Sequence, residues 1–202
     1  MEVFAGDLTV PASLDPALRD VDAVLLIWTA PPQTAPAVLD RLAARTRRLG
    51  FLSAPHRTDH PFFRQPNPMA TTYAEVERIV VASRLESTII RPGMFASNAL
   101  LEWATTIRTG GVVRWPDGCA ETAPVDDRDV AAVHELTPDE SARRTAATWP
   151  RPAVEMLLAA WNATMGVPPY ITTAASDIVG SPPRTIAQWA TDHAEGFGAT
   201  TS

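Results

Sequence analysis

The chain of 202 residues contains no lysine, and all 17 of its basic side chains are arginine. Arginine stays protonated at any working pH, so it serves neither as a general base nor as a Schiff-base former. The absence excludes a Walker-type phosphate loop, a lysine imine and the Ser-Tyr-Lys set of ordinary short-chain dehydrogenases, even where a bias toward Arg, Ala and Pro is its cause. Cysteine is almost absent too. A single Cys119 excludes an internal disulfide framework and a multi-cysteine metal site. Long apolar runs are missing: the best, Val21 to Trp28, has the length of a buried strand and falls well short of the roughly 18 residues of a membrane span. Met1 to Asp7 has neither a basic region nor a long apolar stretch, so it does not read as a signal peptide. A net charge of −6 argues against a nucleic-acid backbone as partner. The expectation is a soluble cytoplasmic protein with no membrane partner, built as one domain or one domain with a small appendage.

What is present alternates strand and helix. Glu2–Ala5 reads as a short strand closed by Gly6-Asp7, and Ser13 as the N-cap of a helix through Leu14, Ala17 and Leu18. Val21–Trp28 is a continuous apolar strand of the kind buried on both faces of a parallel sheet. Pro36–Leu49 reads as a helix. Val38, Leu42 and Ala43 share one face of it, Arg41, Arg45, Arg47 and Arg48 another, and Gly50 is its stop. Phe51–Ser53 is a brief strand remnant, and residues 54–68 form a proline-rich loop. Thr71–Ser83 is an amphipathic helix through Tyr73, Val76, Ile79 and Val80, and Ser87–Arg91 a strand ended by Pro92-Gly93. A helix over Met94–Ile107, a strand over Val112–Trp115 and a strand-turn-helix start over Thr122–Ala131 follow. Helices over Pro138–Ala147, Pro152–Met165 and Thr185–Ala194 complete the chain. Strands alternating with helices, then a helical tail, argue for the α/β class, with a core over 1–133 and a helical C-terminal substrate or cap region over 134–202.

Several segments together resemble one family. Gly6-Asp7-Leu8-Thr9, Ser13-Leu14 and Val21-Asp22-Ala23-Val24 resemble the third strand, its helix and the fourth strand of NmrA-like, atypical short-chain dehydrogenase/reductase proteins. Ser53-Ala54, Glu77, Thr88-Ile89-Ile90-Arg91-Pro92-Gly93-Met94-Phe95, Asn98 and Pro124-Val125-Asp126-Asp127-Arg128-Asp129-Val130-Ala131 continue the resemblance in order. Glu135-Leu136-Thr137-Pro138 and Arg184 to Ala190 are similar to the C-terminal helices of bacterial members. The resemblance implies a Rossmann-like parallel sheet flanked by helices, truncated, with a helical C-terminal tail. The family's opening strand, Gly-x-x-Gly-x-x-Gly turn and helix have no counterpart here, and Ala132-Val133 runs directly into His134. The missing turn is where helix N-terminal amides would bind a pyrophosphate. The strands left without neighbours must pair among themselves, with an upstream piece, or across a homodimer, which the exposed strand edges favour.

The same resemblance places the ligand crevice beyond the carboxyl ends of the strands, around Asp7, Trp28-Thr29, Ser53 and Gly93-Met94-Phe95. Asp7 would face the adenine and the Arg-Pro-Gly turn the nicotinamide; on spacing alone Asp7 also reads as a turn-capping residue. Ser53, Tyr73 and His56 are the candidate catalytic residues. Ser53 would hydrogen-bond a substrate carbonyl or simply close a turn. Tyr73 has Glu77 where a Tyr-x-x-x-Lys pattern has its lysine, so no ammonium lowers its pKa, and Glu77 reads as a helix-surface or structural ion-pair residue. His56 and His60 flank Asp59 in a loop, where an imidazole can face a substrate; no third ligand is evident, so no metal is expected. Trp115, Trp149, Trp161 and Trp189 read as core or pocket walls, and Asp126 to Asp129 as a helix cap.

Three functions compete. The first is a small-molecule enzyme on the degenerate scaffold, working by acid/base cyclisation, dehydration or isomerisation, with no cofactor expected. The second is a reductase of quinone-like or carbonyl substrates that uses NADP(H) or NAD(H), as the resemblance implies. The third is a non-catalytic binding or regulatory protein. In each the partner is a small-molecule ligand.

Overall fold

The computed structural model describes residues 2–64, 67–110, 121–132, 156, 159–160 and 162–198. These residues fall into two compact units, Met1–Arg57 with Asn67–Arg91, and Thr58–Pro66 with Pro92–Ser202.

The first unit is built on three parallel strands, β1 (Ala23–Ile27), β2 (Arg48–Leu52) and β3 (Glu86–Ile90), in the order β1-β2-β3. Ala23 pairs with Arg48 and Ile27 with Leu52; on the other side Arg48 pairs with Glu86 and Leu52 with Ile90. Helix α1 (Ala35–Ala43) connects β1 to β2, and α2 (Pro68–Ala82) lies between β2 and β3. Parallel strands require such crossovers. The result is an α/β arrangement, as the alternation of elements argues, and an open, Rossmann-like one, as the resemblance implies.

Helical spacing explains the core. Ala35, Val38, Leu39 and Leu42 recur at i, i+3, i+4 and i+7, and all four are buried. They pack in one cluster with Leu26 of β1, Leu49 and Phe51 of β2, and Val76 and Val80 of α2. Asn67 starts α2: its side chain accepts from the Ala70 amide at 3.0 Å, and Pro68 supplies a helix-ready φ at the first position.

Several expectations change. The helix read over Pro36–Leu49 ends at Ala43, and Arg47 and Arg48 belong to the entry of β2. The Thr46 amide still closes a last helical turn on Leu42 O at 2.8 Å, while the Thr46 hydroxyl donates to Asp22 O at 2.7 Å and ties the chain to the residue beside the start of β1. Phe51-Leu52 is therefore no remnant but the end of the central strand, and Gly50 lies inside it rather than stopping a helix. Glu2–Ala5 forms no strand; Val3 is 81% and Phe4 46% exposed, for want of a pairing partner among the described residues. Pro11–Leu18 is a 3₁₀ helix containing Ser13, so Ser13 does not cap it from outside.

The second unit contains α3 (Asn98–Gly110), α4 (Asp127–Ala132), α5 (Ala174–Val179) and α6 (Ile186–Asp192). Phe95 forms a parallel bridge with Val125, carried by Ala96 N–H to Val125 O and Val125 N–H to Met94 O, both at 2.8 Å. The helix expected from Met94 begins only at Asn98 because Met94 to Ala96 make this bridge. Asp126 accepts from the Arg128 amide at 2.9 Å and so caps α4, and its carboxylate also meets Arg184 Nε at 2.8 Å. Thr185 and Gln188 form a reciprocal capping box at the start of α6, whose Trp189 is buried. The strand expected over Val112–Trp115, the helix over Pro138–Ala147, and Trp115, Trp149 and Trp161 lie outside the described residues. Among the described residues, no helix is long and apolar enough to cross a membrane.

Candidate functional site

In the first unit the parallel strands all end on one side, where open α/β sheets bind ligands. Trp28 and Thr29 follow β1, Ser53 follows β2 and Arg91 follows β3. The Ser53 amide donates to Ile90 O at 2.7 Å, which holds the ends of β2 and β3 in step.

The segments that follow β2 and β3 converge on a side chain from α2. The apolar face of α2 runs through Tyr73, Val76 and Val80, and the same spacing turns Glu77 inward. Its relative exposure is 0%. A buried carboxylate needs donors, and here it has several. Oε2 accepts from Ser53 Oγ, His56 Nε2 and Arg91 Nε, each at 2.9 Å. Oε1 accepts from Arg91 Nη2 at 2.5 Å, and Arg57 Nη2 stands 3.5 Å from it. Burial pushes the Glu77 carboxyl upward, but the hydrogen bonds from Arg91, His56 and Ser53 outweigh it and hold the group at about 2. Glu77 is therefore an ionised acceptor at neutral pH.

That charge state assigns the protons around it. An ionised carboxylate only accepts, so His56 must donate through Nε2, and in the neutral ring Nδ1 is left as an acceptor. Ser53 commits its hydroxyl hydrogen to Glu77 and keeps only lone pairs for a ligand. Tyr73 lies one turn before Glu77, near Phe51 with ring centroids 6.4 Å apart, and its hydroxyl is 3.4 Å from Trp28 O. Burial raises the Tyr73 phenol, opposite to what a proton-abstracting tyrosinate needs. Trp28 is 3% exposed, and its indole N–H has no hydrogen-bond partner among the described residues.

Of the residues expected at a site, Ser53 and His56 come together on Glu77, and Tyr73 and Trp28 meet through one weak contact. Thr29 is exposed at the end of β1. Asp7 sits in a local turn, its Oδ1 accepting from the Thr9 amide at 2.7 Å and the Thr9 hydroxyl at 2.8 Å; these bonds lower its pKa. Gly93, Met94 and Phe95 belong to the second unit. So does His60, whose Nε2 lies 3.0 Å from Pro168 O and whose ring neighbours Phe63 and Tyr170. A Cβ on Gly93 would come 3.5 Å from Phe63 Cζ.

Glu77 and Arg91 are the site residues that sequence reasoning undervalued. Glu77 proves an ion-pair residue but is not on the surface. The signal was available: a carboxylate in phase with Tyr73, Val76 and Val80 must be buried, and a buried carboxylate implies a cation.

Comparison with known proteins adds a chemical context. A family profile described as NAD(P)H-binding matches residues 1–134. A (4-alkanoyl-5-oxo-2,5-dihydrofuran-3-yl)methyl phosphate reductase of Streptomyces griseus is 32% identical, over 98% of this chain and 84% of its own. An NAD(P)H azoreductase of Xenophilus azovorans is 26% identical, over 98% and 85%. In fold, the chain is similar to an Escherichia coli NADPH-dependent quinone oxidoreductase solved with NADPH, at a TM-score of 0.65 and 18% identity, over 95% of this chain and 83% of that one.

Proposed function

This chain belongs to the NAD(P)H-binding family, and from that premise we propose that it is an NAD(P)H-dependent reductase of a small conjugated carbonyl or quinone-type acceptor. The observation that carries the reading is the polar cluster Ser53, His56, Glu77 and Arg91 at the carboxyl ends of the strands in a member of that family. Cofactor-independent acid/base chemistry fits the relatives less well than reduction does, and the expectation that no cofactor is used gives way to NAD(P)H.

The residues present suit one part of that cofactor. Trp28 offers a buried indole N–H without a partner among the described residues at the end of β1, and Ser53 offers acceptor lone pairs at the end of β2. Both match the hydroxyl and amide groups of the nicotinamide–ribose half. When bound, NAD(P)H supplies a hydride; the chain supplies orientation and a proton. In this reading the chain is also shortened internally after Ala132, where Ala132-Val133 runs directly into His134. A cytoplasmic homodimer, with a second copy along the outer edge of β1, belongs to the same proposal.

The test is calorimetric titration of the folded protein with NADPH and NADH. It is followed by dihydronicotinamide oxidation in the presence of quinone, azo and butenolide acceptors. Binding in the micromolar range with turnover of any of these is the expected result. A folded protein that binds neither nucleotide would sink the proposal.

A further inference from the structure

We propose that Glu77 is a positioning residue that grips His56 through Nε2, and that His56 thereby presents Nδ1 as the proton donor to the reduced acceptor. The proposal rests on the reductase reading and names the acid that the reading requires.

The argument is one of elimination by hydrogen-bond role. Reduction of a conjugated acceptor needs a proton for every hydride. Ser53 has given its hydroxyl hydrogen to Glu77 at 2.9 Å. Tyr73 keeps its phenol proton tightly, with no lysine anywhere in the chain to stabilise a tyrosinate. The two arginines on Glu77, Arg57 and Arg91, do not release protons in this range. His56 is left. Its side chain is 11% exposed, and Nε2 is held by Glu77. Nδ1 has no partner among the described residues. An imidazole with one nitrogen anchored on a carboxylate and the other without a partner among the described residues, in the loop that follows a central parallel strand, has the arrangement of a general acid and base.

The step balances as follows. Hydride delivered to the electron-poor carbon of the acceptor breaks its π bond, and the electron pair moves to the far oxygen or carbon. The Nδ1–H bond of the His56 imidazolium breaks as the new O–H or C–H bond forms. His56 is left neutral with its Nε2–H still on Glu77, and solvent returns the proton to Nδ1. Glu77, 2.9 Å from the ring, keeps hold of Nε2–H throughout, and Arg91 and Arg57 remain on the same carboxylate.

The test pairs ¹⁵N spectra of the imidazole rings in the nucleotide-free protein with kinetics of two variants. The wild type should show His56 as the Nε2–H tautomer when neutral. Glu77→Gln should mix the tautomers. His56→Asn leaves the Glu77–Arg91 pair in place and carries the kinetic test should Glu77→Gln fail to fold. It should lower kcat about a hundredfold or more with the KM for NADPH unchanged. An Nδ1–H tautomer in the wild type, or Glu77→Gln with wild-type tautomer and kcat, overturns the positioning role. Normal NADPH binding with wild-type kcat in His56→Asn overturns the proton-donor role alone. The expected tautomer in a protein that binds no NADPH overturns the reductase reading, and the donor role falls with it.

Discussion

Arg91 forks onto Glu77, its Nε 2.9 Å from Oε2 and its Nη2 2.5 Å from Oε1, and so ties the end of β3 to the inner face of α2. Bidentate pairing of this kind is geometrically specific and is stronger than a point contact. Removing the guanidinium leaves a fully buried carboxylate with Ser53 and His56 as its main remaining donors. Arg91→Met should therefore destabilise the protein by about 3 kcal/mol, the lower end for breaking a buried pair, because those donors persist. Urea unfolding measures it. A loss below about 1 kcal/mol would mean that the pair contributes no more than a surface contact.

The Glu77 carboxyl gives the stability a defined acid limb. Its folded-state value of about 2 lies below the ordinary 4.5, so the folded protein binds its proton less readily than the unfolded chain does. The contribution is complete above about pH 5 and is lost as pH falls toward about 2, amounting to about 3 kcal/mol. Asp127, raised chiefly by burial, works in the opposite direction and recovers part of the loss. Thermal unfolding from neutral to acid pH should show the limb in the wild type and a shallower one in Glu77→Gln.

Trp28 supplies a cleaner probe of nucleotide binding than any charged residue. Trp28→Phe keeps an aromatic ring and removes only the indole N–H, which has no partner among the described residues, and part of the ring volume. Folding stability should fall by about 1 kcal/mol, while NADPH affinity should fall about fivefold, the worth of one hydrogen bond. Calorimetry and urea unfolding separate the two effects. Unchanged affinity would remove Trp28 from the binding residues.

Two carboxylates in the second unit face the same pair of arginines and should behave differently. Asp126 is buried, caps α4 and meets both Arg128 and Arg184; Asp192 meets the same two from a more exposed position. Asp126→Ala should lower stability by about 1–2 kcal/mol through the lost cap alone. Asp192→Ala should leave the unfolding midpoint nearly unchanged, as an exposed pair does.

How much of this was legible in the sequence depended on whether a pattern was local. Leu39 and Leu42 lie on a plain helical stripe, and Leu25-Leu26-Ile27 in a plain apolar run, so α1 and β1 could be read directly, although β1 proves to be an edge strand with only Leu26 buried. The start of β2 could not. Arg47 and Arg48 continue the basic face of α1 in phase, and the Thr46 hydroxyl bond to Asp22 O, which ties the chain to the approach to β1, is a long-range contact that no local pattern shows. Asn67-Pro68, a good helix start, was hidden in a proline-rich loop. At the site, Ser53 and His56 were recognised one by one because their residue types suggest chemistry. Their common partner was not, since a contact from the end of β2 to the middle of α2 is a property of the fold rather than of either segment.

The sheet's strand order is also its chain order, and this bears on how the molecule assembles. Ala23 meets Arg48 across one helical connection, whereas Arg48 meets Glu86 only after the longer loop and α2 have been gathered in. The shorter closure loses less chain entropy. A β1-α1-β2 nucleus with β3 docking afterwards is the expected folding route. In stopped-flow refolding, Leu39→Ala should then slow the forward rate, while Ile89→Val should chiefly hasten unfolding.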